Sequence, residues 1–262
     1  MRRIILEDLK QWLTENSYTR QEELILGNCD AHRRARMGTL LGIAAAVAGL
    51  DYDARGLTYE TLYAMHQAFL LSRLTLKIHR HPMAGERLTV TTWEDGTKGV
   101  HLQRNYEMED AQGCVCVSGK SDWILVDPED RKILRPSAFT AKAFTVCPKE
   151  IDCPKCGKIL LPAQGLEDLG THRVRYSELD GNGHLHSGHY GNLIWDHLPS
   201  ELQYAPIRLF SINYSKEAVG GEELALYGFR EGHTYRMEGL AGGERCFTCA
   251  CEFEEEIGPE PV

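Results

Sequence analysis

The chain has 262 residues, with 29 Lys and Arg set against 38 Asp and Glu, and a formal net charge of −9 at neutral pH. That length holds one large domain or two modest ones. The negative balance argues against a nucleic-acid binder, which needs a basic surface, and more weakly against a protein of anionic membranes.

The opening "MRRIILEDLKQWL" starts basic, but Glu7, Asp8 and Lys10 break its apolar run, so it does not read as a secretion signal. Nine cysteines, an odd number, fit reduced thiols and a cytoplasmic location. Residues 18–29 read as a polar strand. Residues 36–49 read as a helix that is apolar on nearly all sides. Its run "LLGIAAAVAGL" is too short to cross a bilayer and suits a buried helix. "FLLSRLTLKIHRHP", "ERLTVTTWED", "VHLQRNYEME" and "GCVCVSGKSDWILVD" alternate well enough to be strands, parted by Gly- and Asp-bearing turns. One buried helix followed by antiparallel strands is an α+β unit.

Between 136 and 165 four prolines (Pro136, Pro148, Pro154, Pro162) break the pattern and mark a linker. Beyond it the first half recurs. "HRVRYSELD" is a strand candidate. "SGHYGNLIWDHLP" is a helix, with Ser187 as its expected N-cap. "IRLFSINYSKEAVGGEELALYGF" parallels "FLLSRLTLKIHRHPMAGERLTVTTW", with "GEEL" at Gly221 set against "GERL" at Gly85. "TYRMEGLAGGERCFTCACEFE" parallels "QRNYEMEDAQGCVCVSGKSDW". A duplication with a period of half the chain follows. The expected fold is α+β, a tandem (double) hotdog: two antiparallel sheets, each wrapped around a long central helix. The expected organisation is an N-terminal hotdog at 1–138, a linker at 139–165 and a C-terminal hotdog at 166–262.

Two motifs invite a metal. "CPKCGK" places Cys153 and Cys156 at knuckle spacing, but a structural zinc needs a second pair. The other CxxC, Cys246 and Cys249, falls within a predicted strand, where residues three apart point to opposite faces. Plain loop or core thiols are the simpler reading, with Cys153 and Cys156 the only weak metal candidates. "LDGNGHLHSGHYGN" carries His184, His186 and His189. It reads as a metal site, as solvated turn histidines, or as a catalytic segment. In the last case Asp180, Asn182 and His184, two residues apart in an extended stretch, would share one side. A carboxylate, an amide and an imidazole can orient a carbonyl and activate water or a nucleophile. The free N–H groups of the following helix would serve a developing oxyanion.

"RYSELDGNGHLHSGHYGNLIWDHLP" resembles the signature segment of the plant and bacterial acyl-acyl-carrier-protein thioesterases, a strand ending in Asp-x-Asn-x-His before a helix with aromatic residues. "FLLSRLTLKIHRHPMAGERLTVTTWEDG", "SDWILVDPEDRKILRP" and "INYSKEAVGGEEL" resemble further landmarks of that family, and the likeness runs from about 18 to 253. It implies a double hotdog with the acyl pocket in the N-terminal half and the active site in the C-terminal half. The implied activity is hydrolysis of a fatty acyl thioester on a phosphopantetheine arm, releasing free fatty acid. The implied partner is acyl carrier protein; no cofactor is called for, and a homodimer is possible. Carried over by motif, the catalytic set is Asp180 as nucleophile or base, Asn182 holding Asp180 or the carbonyl, His184 assisting, and Glu217 activating or positioning water.

Two departures stand out. Some members have Cys after the Glu, where this chain has Ala218, so a carboxylate mechanism is favoured. His186 and Ser187 replace the usual Asn-Asn pair. Arg33, Arg34 and Arg36, or Lys77, His79, Arg80 and His81, are candidate docking patches for an acidic carrier. The alternatives are an acyl-coenzyme A thioesterase using the same residues, or a non-catalytic hotdog protein that binds acyl chains or zinc.

Overall fold

The structure, a computed structural model, describes residues 9–140, 146–147 and 149–254. The basic start of the chain (1–8) and linker positions 141–145 and 148 lie outside them. In chain order the first half contains β1 (Gln11–Leu13), β2 (Tyr18–Glu23), a 3-10 turn (Leu26–Asn28), α1 (Met37–Ala54) and α2 (Tyr59–Ala64). The strands β3 (Ala68–Ile78), β4 (Arg87–Lys98), β5 (His101–Glu109), β6 (Val115–Val126) and β7 (Ile133–Leu134) follow. The second half contains β8 (Glu167–Arg173), a 3-10 turn (Tyr176–Glu178), α3 (Ser187–Asp196), α4 (Ser200–Gln203), β9 (Ile207–Tyr214), β10 (Glu223–Glu231), β11 (Thr234–Ala241) and β12 (Glu244–Phe253).

The two expected sheets are joined into one. A single antiparallel sheet runs β1-β2-β4-β5-β6-β3-β9-β12-β11-β10-β8, with β7 paired to β6. The seam is β3 against β9, with Arg73 opposite Asn213, Thr75 opposite Ser211 and Lys77 opposite Leu209. The alignment that sets Gly85 against Gly221 also sets Thr75 against Ser211. Their hydroxyls meet at 3.1 Å, so this pair marks a local twofold axis. The two glycines share a φ of +87°, a conformation that excludes most other residues.

Both long helices lie on one side of the sheet and pack on each other. Glycine makes this possible. A Cβ on Gly38 would stand 2.6 Å from the Gly188 carbonyl oxygen, and one on Gly191 would stand 2.6 Å from the Gly38 nitrogen. The faces of α1 and α3 turned to the sheet bury Leu40, Leu41, Ala44, Val47, Leu193 and Ile194 in one apolar core with Leu76, Val90, Phe210, Leu226 and Met237.

Helix α1 outruns the expected end at 49 by five residues, as its bounds show. Its last turn is held by buried charge. Arg104, 2% exposed at its side chain, donates to Asp51 Oδ2 at 2.8 Å and Glu94 Oε1 at 3.0 Å. Arg55 donates to Asp51 Oδ1 at 2.8 Å, and the Tyr52 hydroxyl donates to Glu94 Oε1 at 2.7 Å. Pairing of this kind offsets the desolvation of ions taken from water. It keeps a polar helix end inside where an apolar pattern would have stopped.

The linker crosses the sheet face as a strap. Lys149 pairs with Glu107, Lys77 with Asp152 at 2.6 Å, and the Asn213 amide bonds the backbone of Gly157 and Ile159. Cys153 and Cys156 anchor its middle. Their thiols lie 3.7 Å and 3.1 Å from the carbonyl oxygens of Thr75 and Lys120.

Candidate active site

The segment that the catalytic reading takes as extended is a closed turn. Leu179 and Leu185 pair across it. The Asp180 N–H donates to the His184 carbonyl at 2.8 Å, and the Gly183 N–H to the Asp180 carbonyl at 3.1 Å. Gly183 has a φ of +80°, which this tight return requires. Asp180 Oδ1 accepts the N–H groups of Asn182 at 2.8 Å and His184 at 3.1 Å. Asp180 therefore builds the turn with one oxygen, Oδ1. Asn182 is exposed at the tip, so the three side chains do not form one row as the spacing suggested.

His184 leaves the turn toward the second half's β9–β10 connection. It bridges Val219 on the backbone, and the Leu185 N–H donates to the Ala218 carbonyl at 2.8 Å. Ala218 is fully buried, so the site has a methyl group where a thiol would stand in some relatives of the motif. These backbone bonds carry Glu217 alongside. Glu217 Oε2 lies 3.5 Å from His184 Nε2, with both side chains a little over a quarter exposed. The same oxygen accepts from the Arg131 guanidinium. Arg131 was not anticipated. It comes from the turn between β6 and β7, 86 positions from Glu217 and inside the segment "SDWILVDPEDRKILRP", and the joined sheet brings it here.

The start of α3 differs from expectation. His186, not Ser187, is the N-cap: its Nδ1 accepts the Gly188 N–H at 3.1 Å. The His189 N–H donates to the His186 carbonyl at 2.8 Å. Two of the N–H groups assigned to an oxyanion are thus already bonded to His186. Burial lowers the His186 pKa, with His189 adding to the effect. The ring stays neutral and able to accept. Tyr190 packs edge-on against Tyr214 and Phe247 at 5.2 and 5.3 Å between centroids and fixes the helix over the sheet.

The first half carries the same device without the same chemistry. A 3-10 turn precedes Asp30, Cys29 pairs with Ala35, and Arg34 bridges Met83. Asp30 Oδ1 accepts the N–H groups of His32 at 2.8 Å and Arg34 at 2.9 Å. Arg33 takes the positive φ, at +63°. Arg34 stands where His184 does and His81 where Glu217 does. Arg34 is spent on Asp30 and on the carbonyls of Gln203 and Tyr204. The His81 ring bonds the Ala35 carbonyl at 2.8 Å, and burial lowers its pKa. A cleft of about 430 Å³ opens here, with Trp195, Asn192 and Ile207 among its walls. Its arginine and its imidazole, Arg34 and His81, are both bonded to backbone carbonyls.

The cysteines take structural places. Cys246, Cys249 and Cys251 are buried in the apolar core. Burial pushes the thiols of Cys153 and Cys156 up to about 11 and about 12. A zinc site wants thiolates, and among the described residues no cluster of three His, Cys, Asp or Glu is placed to hold a metal. The patch of Lys77, His79, Arg80 and His81 is largely neutralised internally. Lys77 faces Asp152, His79 bonds Ser118 at 2.9 Å, and Arg80 is bidentate on Glu86 at 2.8 and 2.9 Å. No helix among the described residues is long and apolar enough to cross a membrane.

Comparison with known proteins meets this geometry. The acyl-ACP thioesterase N-terminal domain matches residues 15–138. The chloroplastic oleoyl-acyl carrier protein thioesterase of Coriandrum sativum is 20% identical over 229 residues, covering 78% of this chain and 61% of that protein. The chain thus spans less than two thirds of the length of this curated relative. An acyl-ACP thioesterase from Bacteroides thetaiotaomicron superposes with a TM-score of 0.80 at 24% identity, over 91% of this chain and 98% of that one. The 12:0-ACP thioesterase of Umbellularia californica gives 0.79 at 15% identity, over 93% and 99%. Those superpositions carry the double-hotdog fold, and the domain match shows that residues 15–138 are similar to the N-terminal domain of acyl-ACP thioesterases.

Proposed function

We propose that the protein hydrolyses the thioester of a fatty acyl chain on acyl carrier protein and releases free fatty acid. One observation carries the reading: a carboxylate, Glu217, and an imidazole, His184, meet at 3.5 Å beside a glycine-shaped turn. Contacts of this length in a free enzyme tighten when substrate binds. Glu217 takes a proton from water, and the water oxygen attacks the thioester carbonyl. His184 steadies the carboxylate and relays the proton that Glu217 has taken to the departing thiolate of the phosphopantetheine arm. Asp180 holds the turn through Oδ1 and sets His184 in place; its second oxygen keeps the nucleophile or base role open to it. Asn182, exposed at the tip, is the side-chain amide nearest in sequence to serve the carbonyl.

The division of labour follows the two halves, with the acyl chain shaped by 1–138 and the chemistry by 166–262. The carrier is the required partner, in the cytoplasm. A homodimer is a separate proposal that light scattering tests. Of the two candidate basic patches, the one at Arg33 and Arg36 remains for docking, since the other is internally paired. Turnover of palmitoyl and shorter acyl thioesters on carrier protein and on coenzyme A, at rising salt, tests the reading. A preference for the carrier that fades with salt is expected. No free fatty acid from either substrate would overturn it.

A further inference from the structure

The turn that joins β6 to β7 carries a strained residue at its far end. Asp127 organises it: Oδ1 accepts the N–H groups of Glu129 at 2.9 Å and Asp130 at 3.1 Å, and the Asp127 N–H donates to the Lys132 carbonyl at 2.9 Å. Within this frame Arg131 sits at a φ of +54°. A long side chain rarely adopts that conformation, and such strain collects where a side chain must be aimed. Glycine would hold the same turn without strain.

What the strain aims is a guanidinium. Arg131 is 73% exposed at its side chain and makes its ion pair with Glu217 in the other half of the molecule. It holds Oε2, the oxygen that also faces His184 Nε2. Oε1 has no such partner among the described residues. A Glu on a connecting segment otherwise has three rotatable bonds and solvent around it. A guanidinium donor on Oε2, with the His184 ring beside it, restrains the carboxylate and leaves the other oxygen for water.

We propose that Arg131, from the N-terminal half, is a positioning residue that orients Glu217 for catalysis. The inference rests on the hydrolytic reading of Glu217. It adds that the site is completed across the two halves and that a turn outside the catalytic half sets the turnover rate. Arg131 acts through Glu217 and binds no substrate.

Kinetics of Arg131→Gly, Arg131→Gln and Arg131→Lys, each alone and with Glu217→Gln, test it, together with thermal melts. Arg131→Gly and Arg131→Gln should lower kcat by about 10-fold with KM nearly unchanged, as misplacement of a reacting group does. Arg131→Lys should recover part of the loss. Arg131→Gly should melt no lower than the wild type, because it relieves the positive φ. In the Glu217→Gln background the Arg131 changes should have no further effect on kcat. A raised KM with unchanged kcat, or an equal loss of kcat in the Glu217→Gln background, would overturn the proposal. A wild type inactive on every thioester would instead fail the hydrolytic reading. The positioning claim is then decided by crystals of Arg131→Gly: the Glu217 carboxylate is expected to leave its place beside His184, and a carboxylate that stays put overturns it.

Discussion

The two copies of the turn, at 29–38 and 179–188, share a backbone and divide over what their side chains do. Each begins after a 3-10 turn, closes on an aspartate that accepts two N–H groups, uses one residue at positive φ, and enters a helix two residues after its closing bridge. In the first, an arginine and a half-buried histidine fill the positions that face outward from the cradle, and both are committed to carbonyl oxygens. In the second, a histidine and a carboxylate fill them and meet each other. An arginine cannot act as a base and has no acceptor. The difference shows that the aspartate is part of the frame, present in both copies. The chemistry we propose lies in what replaces Arg34 and His81, namely His184 and Glu217.

The sharpest way to break this comparison is kinetic. Glu217→Gln should lower kcat by about 10³-fold, within the range of a lost general base. His81→Gln, its counterpart, should leave kcat within about twofold. A comparable loss in both would mean that the first turn takes part. Next in size is the helix crossing. Gly38→Ala should destabilise the protein by about 3 kcal/mol, at the upper end for overpacking, because its Cβ would also strike the Asn192 amide oxygen. Gly188→Ala should cost less, since its Cβ would stand 2.9 Å from the Gly38 oxygen. Urea midpoints measure both, and no loss in either would show that the crossing is not set by these two glycines.

The aspartates come third. Asp30→Ala and Asp180→Ala should each lose about 1–3 kcal/mol of stability, because two N–H groups are left without an acceptor. Asp180→Asn keeps Oδ1 and with it the turn. A drop in rate in Asp180→Asn at unchanged stability would then assign chemistry to the carboxylate itself, and an unchanged rate would leave it a frame residue. The smallest effect is on pH dependence. The folded-state pKa of His186 is lowered. Its contribution is therefore present above the unfolded value near 6.5 and is lost as pH falls through the lower folded value. The fall in Tm between pH 7 and pH 5 should be smaller in His186→Asn than in the wild type. An equal fall in both would remove His186 as the acid-sensitive cap.

Much of this was legible in the sequence, and the gaps have physical causes. Gly85 and Gly221 gave the correct register for the duplication because only glycine is comfortable at their φ. The repeat of the turn itself was hidden. Arg33 occupies the position that Gly183 occupies, and beyond Asp30 and Asp180 few side chains match. The catalytic reading takes residues 180–184 as extended because Asp-x-Asn-x-His alternates. Alternation cannot tell a strand from a turn whose aspartate reaches back for its own N–H groups. His184 and Glu217 were picked out by motif and do meet. Arg131 lies inside a recognised segment, but its ion pair with Glu217 left no local trace, for it forms only after β6 and β7 have carried the residue to the far half. The seam between β3 and β9 was equally silent, since pairing between two distant strands leaves no periodicity in either.

The strap over the sheet has a consequence for the way the molecule can vary. Two separate copies of one half would be bound by symmetry to carry identical turns, so any change to one site would be a change to both. Joined through the strap, the halves meet at an effective concentration on the order of millimolar however dilute the protein is. Neither half must be self-complementary to find its partner. One turn can hold a base while its twin holds an arginine, and the first half can remodel its cleft without altering a residue of the catalytic one.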